Sequence, residues 1–332
     1  MATLSELWNI LRAEPSSSND GISLRMRSES FGLRLYAGLE RFADLPSILL
    51  DISKDSRPKE WSRVSTQAFV AETVTISGLS NGRMALSITL KNKEYEDLFI
   101  LLGEDLVQAV EGSPSEATAV RSVVRRIDRW RKFLERGKKH LTAEEVRGLL
   151  GELIVLARCI AQYGAKKSLD AWQHDGGLRD FEFPSMAIEV KTHQAATGTT
   201  VRISDLMQLE SAAGRPLYLA TIQLSLVENA GWSLPMAVNR VNDFLADDYE
   251  AGEQFWDSLA AQGYFPTHAS HYPEQYLVSS VQSFLVSDGF PRIISSAVPL
   301  GVEAVAFSIR LAAMWQFKVE VGQILGAESV LG

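Results

Sequence analysis

The chain has 332 residues, 46% of them hydrophobic and 22% charged, with 33 Lys and Arg against 41 Asp and Glu for a net charge of −8. That balance suits a globular protein with a sizeable core and excludes wholesale disorder or a surface coated in basic groups. The absence of any apolar run of about 18 residues excludes an expected membrane span, and at this length two or three domains, or one core with additions, are expected.

Residues 1–15 read as an amphipathic helix, followed by a Ser-rich break at 16–21. No basic segment precedes an apolar stretch there, so no secretory signal is expected and cytoplasmic residence is the default. From about 22 to 100 the chain carries short alternating runs such as G-L-R-L-Y-A, F-V-A-E-T-V-T-I-S and R-M-A-L-S-I-T-L, with turn signals at Asp55–Pro58 and S-N-G 80–82. Period-2 alternation predicts half-buried, mostly antiparallel strands, and the S-N-G predicts a hairpin.

Two helices are predicted next. The first, 117–137, places Val120, Val123, Val124, Ile127, Trp130 and Leu134 on one stripe and arginines on the other faces. The second opens at Thr142, whose spacing to Glu145 is that of a capping box, and runs from about 143 to 163 before Gly164. Within it, the lone Cys159 lies in L-I-V-L-A-R-C-I, so no disulfide or thiolate metal site can form and a small buried hydrophobe is expected. A loop at 166–178 leads to a hairpin of 180–183 and 186–191, then a short strand at 200–203 and a helix near 204–213. The run 215–226 is continuously apolar, as suits a central strand covered on both faces. A break at 229–235, a long helical stretch from Met236 to about Leu259, and strand-like runs at 276–287 and 303–320 complete the pass.

The segment Asp180 to Lys191, D-F-E-F-P-S-M-A-I-E-V-K, carries the chemistry. In a strand, residues i and i+2 project to one side, so Glu189 and Lys191 share a face while Ile188 and Val190 take the other. Two carboxylates and an ammonium brought together can hold a divalent cation and a reactive water, the equipment for metal-assisted phosphodiester hydrolysis. Asp180 and Glu189 would give oxygen ligands to Mg2+, with the Val190 carbonyl as a third, and Glu152, reaching the cluster from its helix, would bind a second metal or the water shell. Lys191 would orient the water and stabilise charge building on the phosphate. Gly148 and Gly151 would permit a close approach of the 143–163 helix to the sheet.

Taken singly these residues have ordinary readings. An E-x-K triplet arises by chance, Asp180 could be a turn residue, and Glu152 could pair with Arg147 or Arg158. Their joint order is more telling, because each charged group interrupts an apolar element at a cost of several kcal/mol unless paired or metal-bound. Residues 121–215 hold 17 Lys and Arg against 12 Asp and Glu, +5 locally, which leaves −13 elsewhere. A polyanion would therefore meet this middle segment. Thr192, Arg202, Lys166 and Lys167 are candidate phosphate contacts, His193 continues the Lys191 face toward substrate, and the arginine-rich 121–139 helix is either a backbone-tracking or a solvated face. His174 and Asp175 lie in the loop before the hairpin, where a turn role is expected, and His140, His268 and His271 form no spaced zinc motif.

The order of helix, hairpin, helix and central strand, with these acids in place, resembles the PD-(D/E)XK nuclease superfamily of restriction and repair enzymes. By that resemblance Glu152 in G-L-L-G-E-L matches the helix acid and Asp180 in R-D-F the strand aspartate. Glu189 and Lys191 in I-E-V-K match the acid-x-lysine pair, and Gln208 in M-Q-L-E matches a glutamine that some branches carry. G-E-L, D-F, E-V-K-T and Q-L, with G-F-P-R at 289–292, are also similar to a sparsely characterised bacterial family grouped with that superfamily. The detailed match covers about residues 140–226, and the literal Pro-Asp is absent because Arg179 precedes Asp180.

The resemblance implies an α/β (α+β) restriction-endonuclease-like core, a mixed sheet flanked by helices, at 116–232. A β-rich module would occupy 1–115 and a helical and strand region 233–332. It further implies a Mg2+-dependent DNA endonuclease in restriction or phage defence, with Mn2+ able to substitute, acting with or without a methyltransferase or ATPase partner. A dimer would suit double-strand cleavage. The competing expectation is a nuclease fold that binds nucleic acid or assembles a complex without cutting.

Overall fold

The computed structural model describes residues 2–15, 21–56, 63–75, 83–136, 140–174, 177–194, 200–210, 214–228 and 230–326. Two compact units divide the chain, 1–138 and 139–332.

The first unit opens with α1 (Leu4–Ala13), capped by a reciprocal Thr3–Glu6 box and burying Leu4, Leu7, Trp8 and Leu11. Strands β1 (Ile22–Ser30), β2 (Leu33–Glu40), β3 (Leu45–Ser53), β4 (Val64–Ser65), β5 (Phe69–Val74) and β6 (Arg83–Leu90) form one antiparallel sheet in the order β1-β2-β3-β6-β5-β4. The expected alternation is observed: Leu33, Leu35, Ala37 and Leu39 on β2 face the core with Ile48, Leu50 and Ile52 on β3. The S-N-G turn at 80–82 lies outside the described residues, and the strands on either side of it, β5 and β6, are paired antiparallel.

Helix α2 (Glu96–Glu111) was not anticipated from the strand-like reading that ran to residue 100. Its buried positions Phe99, Leu102, Leu106, Val107 and Val110 recur every three or four residues, a helical period that the short run before it obscures. Helix α3 (Glu116–Arg136) packs Val120, Val123, Ile127 and Leu134 into this same core. The unit boundary therefore falls after α3 rather than before it, because the apolar stripe of that helix is completed by α2 and the N-terminal sheet.

In the second unit α4 (Ala143–Tyr163) starts at the Thr142–Glu145 capping box, as expected, and stops at Gly164, whose φ of +87° suits a residue without a Cβ. Helix α5 (Ala165–Ala171) occupies part of the segment expected to be loop. Then follow β7 (Phe181–Glu182), β8 (Ala187–Gln194), β9 (Thr200–Ile203), a 3₁₀ turn at Leu206–Leu209 where a longer helix was expected, and β10 (Leu217–Val227). The long helical stretch after 235 resolves into α6 (Leu234–Phe244) and α7 (Tyr249–Ala261). After β11 (Gln275–Leu285) the run expected as one strand breaks into β12 (Phe307–Arg310), α8 (Leu311–Met314) and β13 (Lys318–Val319), followed by α9 (Val321–Leu325).

The main sheet has the order β13-β11-β10-β8-β7, with β8 parallel to β10 and the other neighbours antiparallel. β10 is central and covered on both faces, as its apolar run predicted. Ala220, Ile222 and Leu224 pack with α4, α6 and α7, while Leu217 and Leu219 pack with β9, β12 and the turn at 206–209. The residues after 233 fill the same cores as β8 and β10, so they are structural members of this unit rather than an appendage. The expected mixed α/β (α+β) architecture is what the chain adopts. Among the described residues no helix is long and apolar enough to cross a membrane.

The two glycines of α4 differ. A Cβ on Gly151 would overlap Thr192 Cγ2 and lie 3.5 Å from Ile222 Cδ1, so this glycine permits the close approach of α4 to β8. Gly148 faces open space. Gly151→Ala should therefore lower stability by about 1–3 kcal/mol through overpacking, whereas Gly148→Ala should be neutral or stabilising by up to about 1 kcal/mol from helix propensity. Denaturant unfolding of the two variants checks this, and a Gly151→Ala protein as stable as the parent would contradict it.

Candidate active site

Strand β7 is two residues long and β8 eight, so β8 runs past its edge partner. The register pairs Phe181 with Ile188, which brings Asp180 level with Glu189 at the next step. Asp180 Oδ2 accepts a hydrogen bond from the Val190 N–H at 2.6 Å, so a side chain takes over where the ladder ends. Its main-chain carbonyl accepts from the Gln173 N–H at 2.9 Å.

Glu189 is 0% exposed, and its Oε1 lies 2.6 Å from Lys191 Nζ. Its Oε2 has no hydrogen-bond donor among the described residues. From α4, Glu152 reaches the same place, with Oε2 accepting from Trp172 Nε1 at 2.8 Å and from Gln262 Nε2 at 2.9 Å. Ile188 and Val190 face the core on the α4 side, and Ala187 faces the opposite core, as the period-2 reading of β8 requires.

These four groups feel one another. Burial, and then the neighbouring Asp180 charge, push the Glu152 carboxyl up to about 8. The same two causes, with a further contribution from Glu152, push Glu189 up to about 8. Burial also raises Asp180, against the pull of Lys191 and the Val190 amide. For Lys191 burial is the largest influence and works downward, yet Glu189, Asp180 and Glu152 together outweigh it and the ammonium is stabilised. One cation thus faces three carboxylates in a poorly solvated place, and an unsatisfied buried carboxylate oxygen is costly.

Two depressions meet at this cluster and share Gly148, Glu152 and Asp180. The polar one, about 360 Å³, is lined by Arg147, Val190, Lys191, Thr192, His193 and Arg202 among others. The other, about 310 Å³, is lined by Leu141, Leu149, Gln173, His174, Arg179 and Gln262 among others.

Of the residues singled out from sequence, Glu152, Asp180, Glu189, Lys191 and Val190 come together at the end of β7. Thr192, His193 and Arg202 join them along the polar depression. Gln208 does not reach the cluster. Its Oε1 accepts from the Ser204 N–H and hydroxyl and caps the 3₁₀ turn reciprocally with Asp205, so the amide oxygen is engaged locally. Lys166 pairs with Asp170 on α5, and both Lys166 and Lys167 are exposed away from the two depressions. Asp175 lies outside the described residues.

His140 meets His268 and His271, which lie far along the chain: the His140 and His271 rings stack at 3.8 Å and the His140 and His268 rings lie edge-on at 4.5 Å. Among the described residues, however, no group of three or more His, Cys, Asp and Glu is arranged to hold a metal ion as it stands. Cys159 is buried, and burial pushes its thiol up to about 12, the inert small hydrophobe expected.

Arg179, where the superfamily's name has proline, is buried and structural. It pairs with Glu182 on β7 and donates to the Glu210 carbonyl at 2.7 Å, tying the short strand to the 206–209 turn. Arg147, Trp172 and Gln262 are members of the site that sequence reasoning did not select. Gln262 lies 110 positions from the acid it touches, and no local pattern signals such a contact.

The donor set suits a hard divalent cation: carboxylate oxygens of Asp180 and Glu189 and the Val190 carbonyl, few protein ligands in all, as Mg2+ uses when it keeps several waters. The Glu189 oxygen without a donor is the kind of group such a cation satisfies.

A family model described as "Putative PD-(D/E)XK family member, (DUF4420)" matches residues 4–312. No curated protein and no solved structure gives a significant match.

Glu152 and Glu189 hold their protons more tightly folded than unfolded, so the folded state binds more protons between about pH 4.5 and about pH 8. Stability without divalent cations should then fall as pH rises through that window. Glu189→Gln removes one of these two buried titrating groups, so its gain over the parent in denaturant unfolding should be greater at about pH 8.5 than at about pH 5. An equal gain at both would show that the carboxyl is not held protonated by the fold.

Proposed function

Because the chain belongs to the family described as "Putative PD-(D/E)XK family member, (DUF4420)", we propose that it is a Mg2+-dependent endonuclease hydrolysing phosphodiester bonds of DNA. The observation that carries this reading is the convergence of Glu152, Asp180 and Glu189 around the single ammonium of Lys191 at the edge of the sheet. A bound Mg2+, which Mn2+ would replace, supplies a Lewis acid and a water of lowered pKa.

The chain's own residues supply the rest. Asp180 and Glu189 would hold the cation with the Val190 carbonyl, and the Asp180 bond to the Val190 amide sets the spacing between strand and loop. Lys191 keeps its proton in this acidic setting, so it acts as a hydrogen-bond donor that orients the attacking water and offsets charge developing on the phosphate. Glu152 assists from the helix side, through the second carboxylate oxygen that its two donors leave open. Arg147, Arg202, Thr192 and His193 line the polar depression and would meet the phosphate backbone there. That depression, rather than the arginine-rich α3, is the proposed DNA contact. On α3, Arg126 is paired with Asp105 and Arg131 with Asp128 and Glu135. A restriction or phage-defence setting, with a methyltransferase or ATPase partner, is the biological context proposed for this activity.

Plasmid and phage DNA incubated with Mg2+ or Mn2+ should be cut by the parent protein. Asp180→Ala and Lys191→Ala should each lose at least about 100-fold in rate, and chelation should abolish cutting. DNA affinity without cleavage, undiminished by chelation and by Lys191→Ala, would instead make the protein a binding module. Cutting retained in both variants would refute the assigned site.

A further inference from the structure

Both hydrogen bonds to Glu152 end on one oxygen. Trp172 Nε1 and Gln262 Nε2 donate to Oε2 at 2.8 and 2.9 Å. An indole N–H and an amide NH2 donate and cannot accept, so Oε2 must keep its lone pairs turned toward them. The carboxyl group is planar, and fixing one oxygen by two donors from different elements also fixes the direction of the other.

Each donor sits on a rigid support. Trp172 is 1% exposed, its ring stacks on Phe255 of α7 at 6.0 Å, and its main chain bridges to Phe181, the neighbour of Asp180. Gln262 is the C-cap of α7, and that helix end is closed by Gly263 at φ +87° with the Tyr264 N–H bonded to the Leu259 carbonyl at 2.9 Å. The bridge at Phe181 means that the segment aiming Glu152 also locates Asp180, so two of the three acids share one scaffold.

We infer that Trp172 and Gln262 are positioning residues, which clamp Glu152 by Oε2 and so present Oε1 to the ground between Asp180 and Lys191, where a divalent cation or its water shell would sit. The inference rests on the nuclease reading above and extends it in one respect. The C-terminal part of the unit, through Gln262, is a working part of the site. A core ending at 232 would lack the donor.

The test is Mg2+ binding by the full chain, followed calorimetrically, together with the Mg2+ dependence of plasmid cleavage. Gln262→Met preserves length and volume and removes the donor. It should weaken Mg2+ binding, and raise the Mg2+ concentration for half-maximal cleavage, by about 10-fold. The unfolding midpoint should stay near that of the parent. Trp172→Phe should shift the metal dependence in the same direction. Because Trp172 is buried, a loss of stability in that variant leaves Gln262→Met to decide.

A merely structural contact would lower the rate at every Mg2+ concentration and leave the Mg2+ affinity unchanged, and that result would overturn the inference. Parent-like Mg2+ binding and cleavage in Gln262→Met would overturn it as well. A parent protein that neither binds Mg2+ nor cuts would overturn the nuclease reading and the inference together.

Discussion

Three carboxylates around one ammonium, in a place with little water, is the constraint on which the second unit is organised. Repulsion would open an unsupported site, because burial disfavours all three charges and the Asp180 charge further disfavours those of Glu152 and Glu189. The surrounding structure absorbs that cost with specific contacts. Val190 lends its amide to Asp180, Lys191 its ammonium to Glu189, and Trp172 and Gln262 their N–H groups to Glu152. What these leave open is one face of the cluster, and it is where two depressions meet.

The location follows from sheet geometry. β10 is covered on both faces and admits charge poorly, whereas β8 is its neighbour toward the edge, beside a strand only two residues long. Beyond the Phe181–Ile188 pair that edge of β8 has no paired strand among the described residues, so its backbone amide is available to a side chain and its polar residues can reach the cleft. The shortness of β7 is therefore what opens this edge of β8 to the acid cluster. Arg179 and Arg215 both pair with Glu182 and hold this short strand in place. On the other side, the missing side chain of Gly151 lets α4 come close enough for Glu152, the next residue, to reach the strand.

The charge distribution of the whole chain says less than the local one. A net charge of −8 gives no hint of a polyanion partner, and the most conspicuous basic helix, α3, spends its apolar stripe on the N-terminal core and some of its arginines on acids of α2 and of its own length. Arg147, Lys191 and Arg202 line the polar depression beside the acid cluster, spread thinly along the sequence and gathered there by the fold.

Local order was legible in the sequence wherever it is set by neighbours along the chain. Alternation gave the N-terminal sheet, the Thr142–Glu145 box gave the start of α4, and the i, i+2 rule put Glu189 and Lys191 on one face. The ordered appearance of Glu152, Asp180, Glu189 and Lys191 was enough to point to the family. What the sequence could not decide is whatever depends on packing between distant segments. α2 hid behind a strand-like beginning, α3 shares its core with the N-terminal sheet, and Gln208 turned to cap its own turn. Trp172 and Gln262 became donors to Glu152 only because segments 20 and 110 positions further along the chain pack against it, and His140 likewise meets His268 and His271 from far along the chain. Hydrogen-bonded turns and strand alternation involve residues a few positions apart, so their pattern is written in the chain. The partner of a buried carboxylate is chosen by which surfaces remain to be covered once the sheet has formed, and only the tertiary structure determines that.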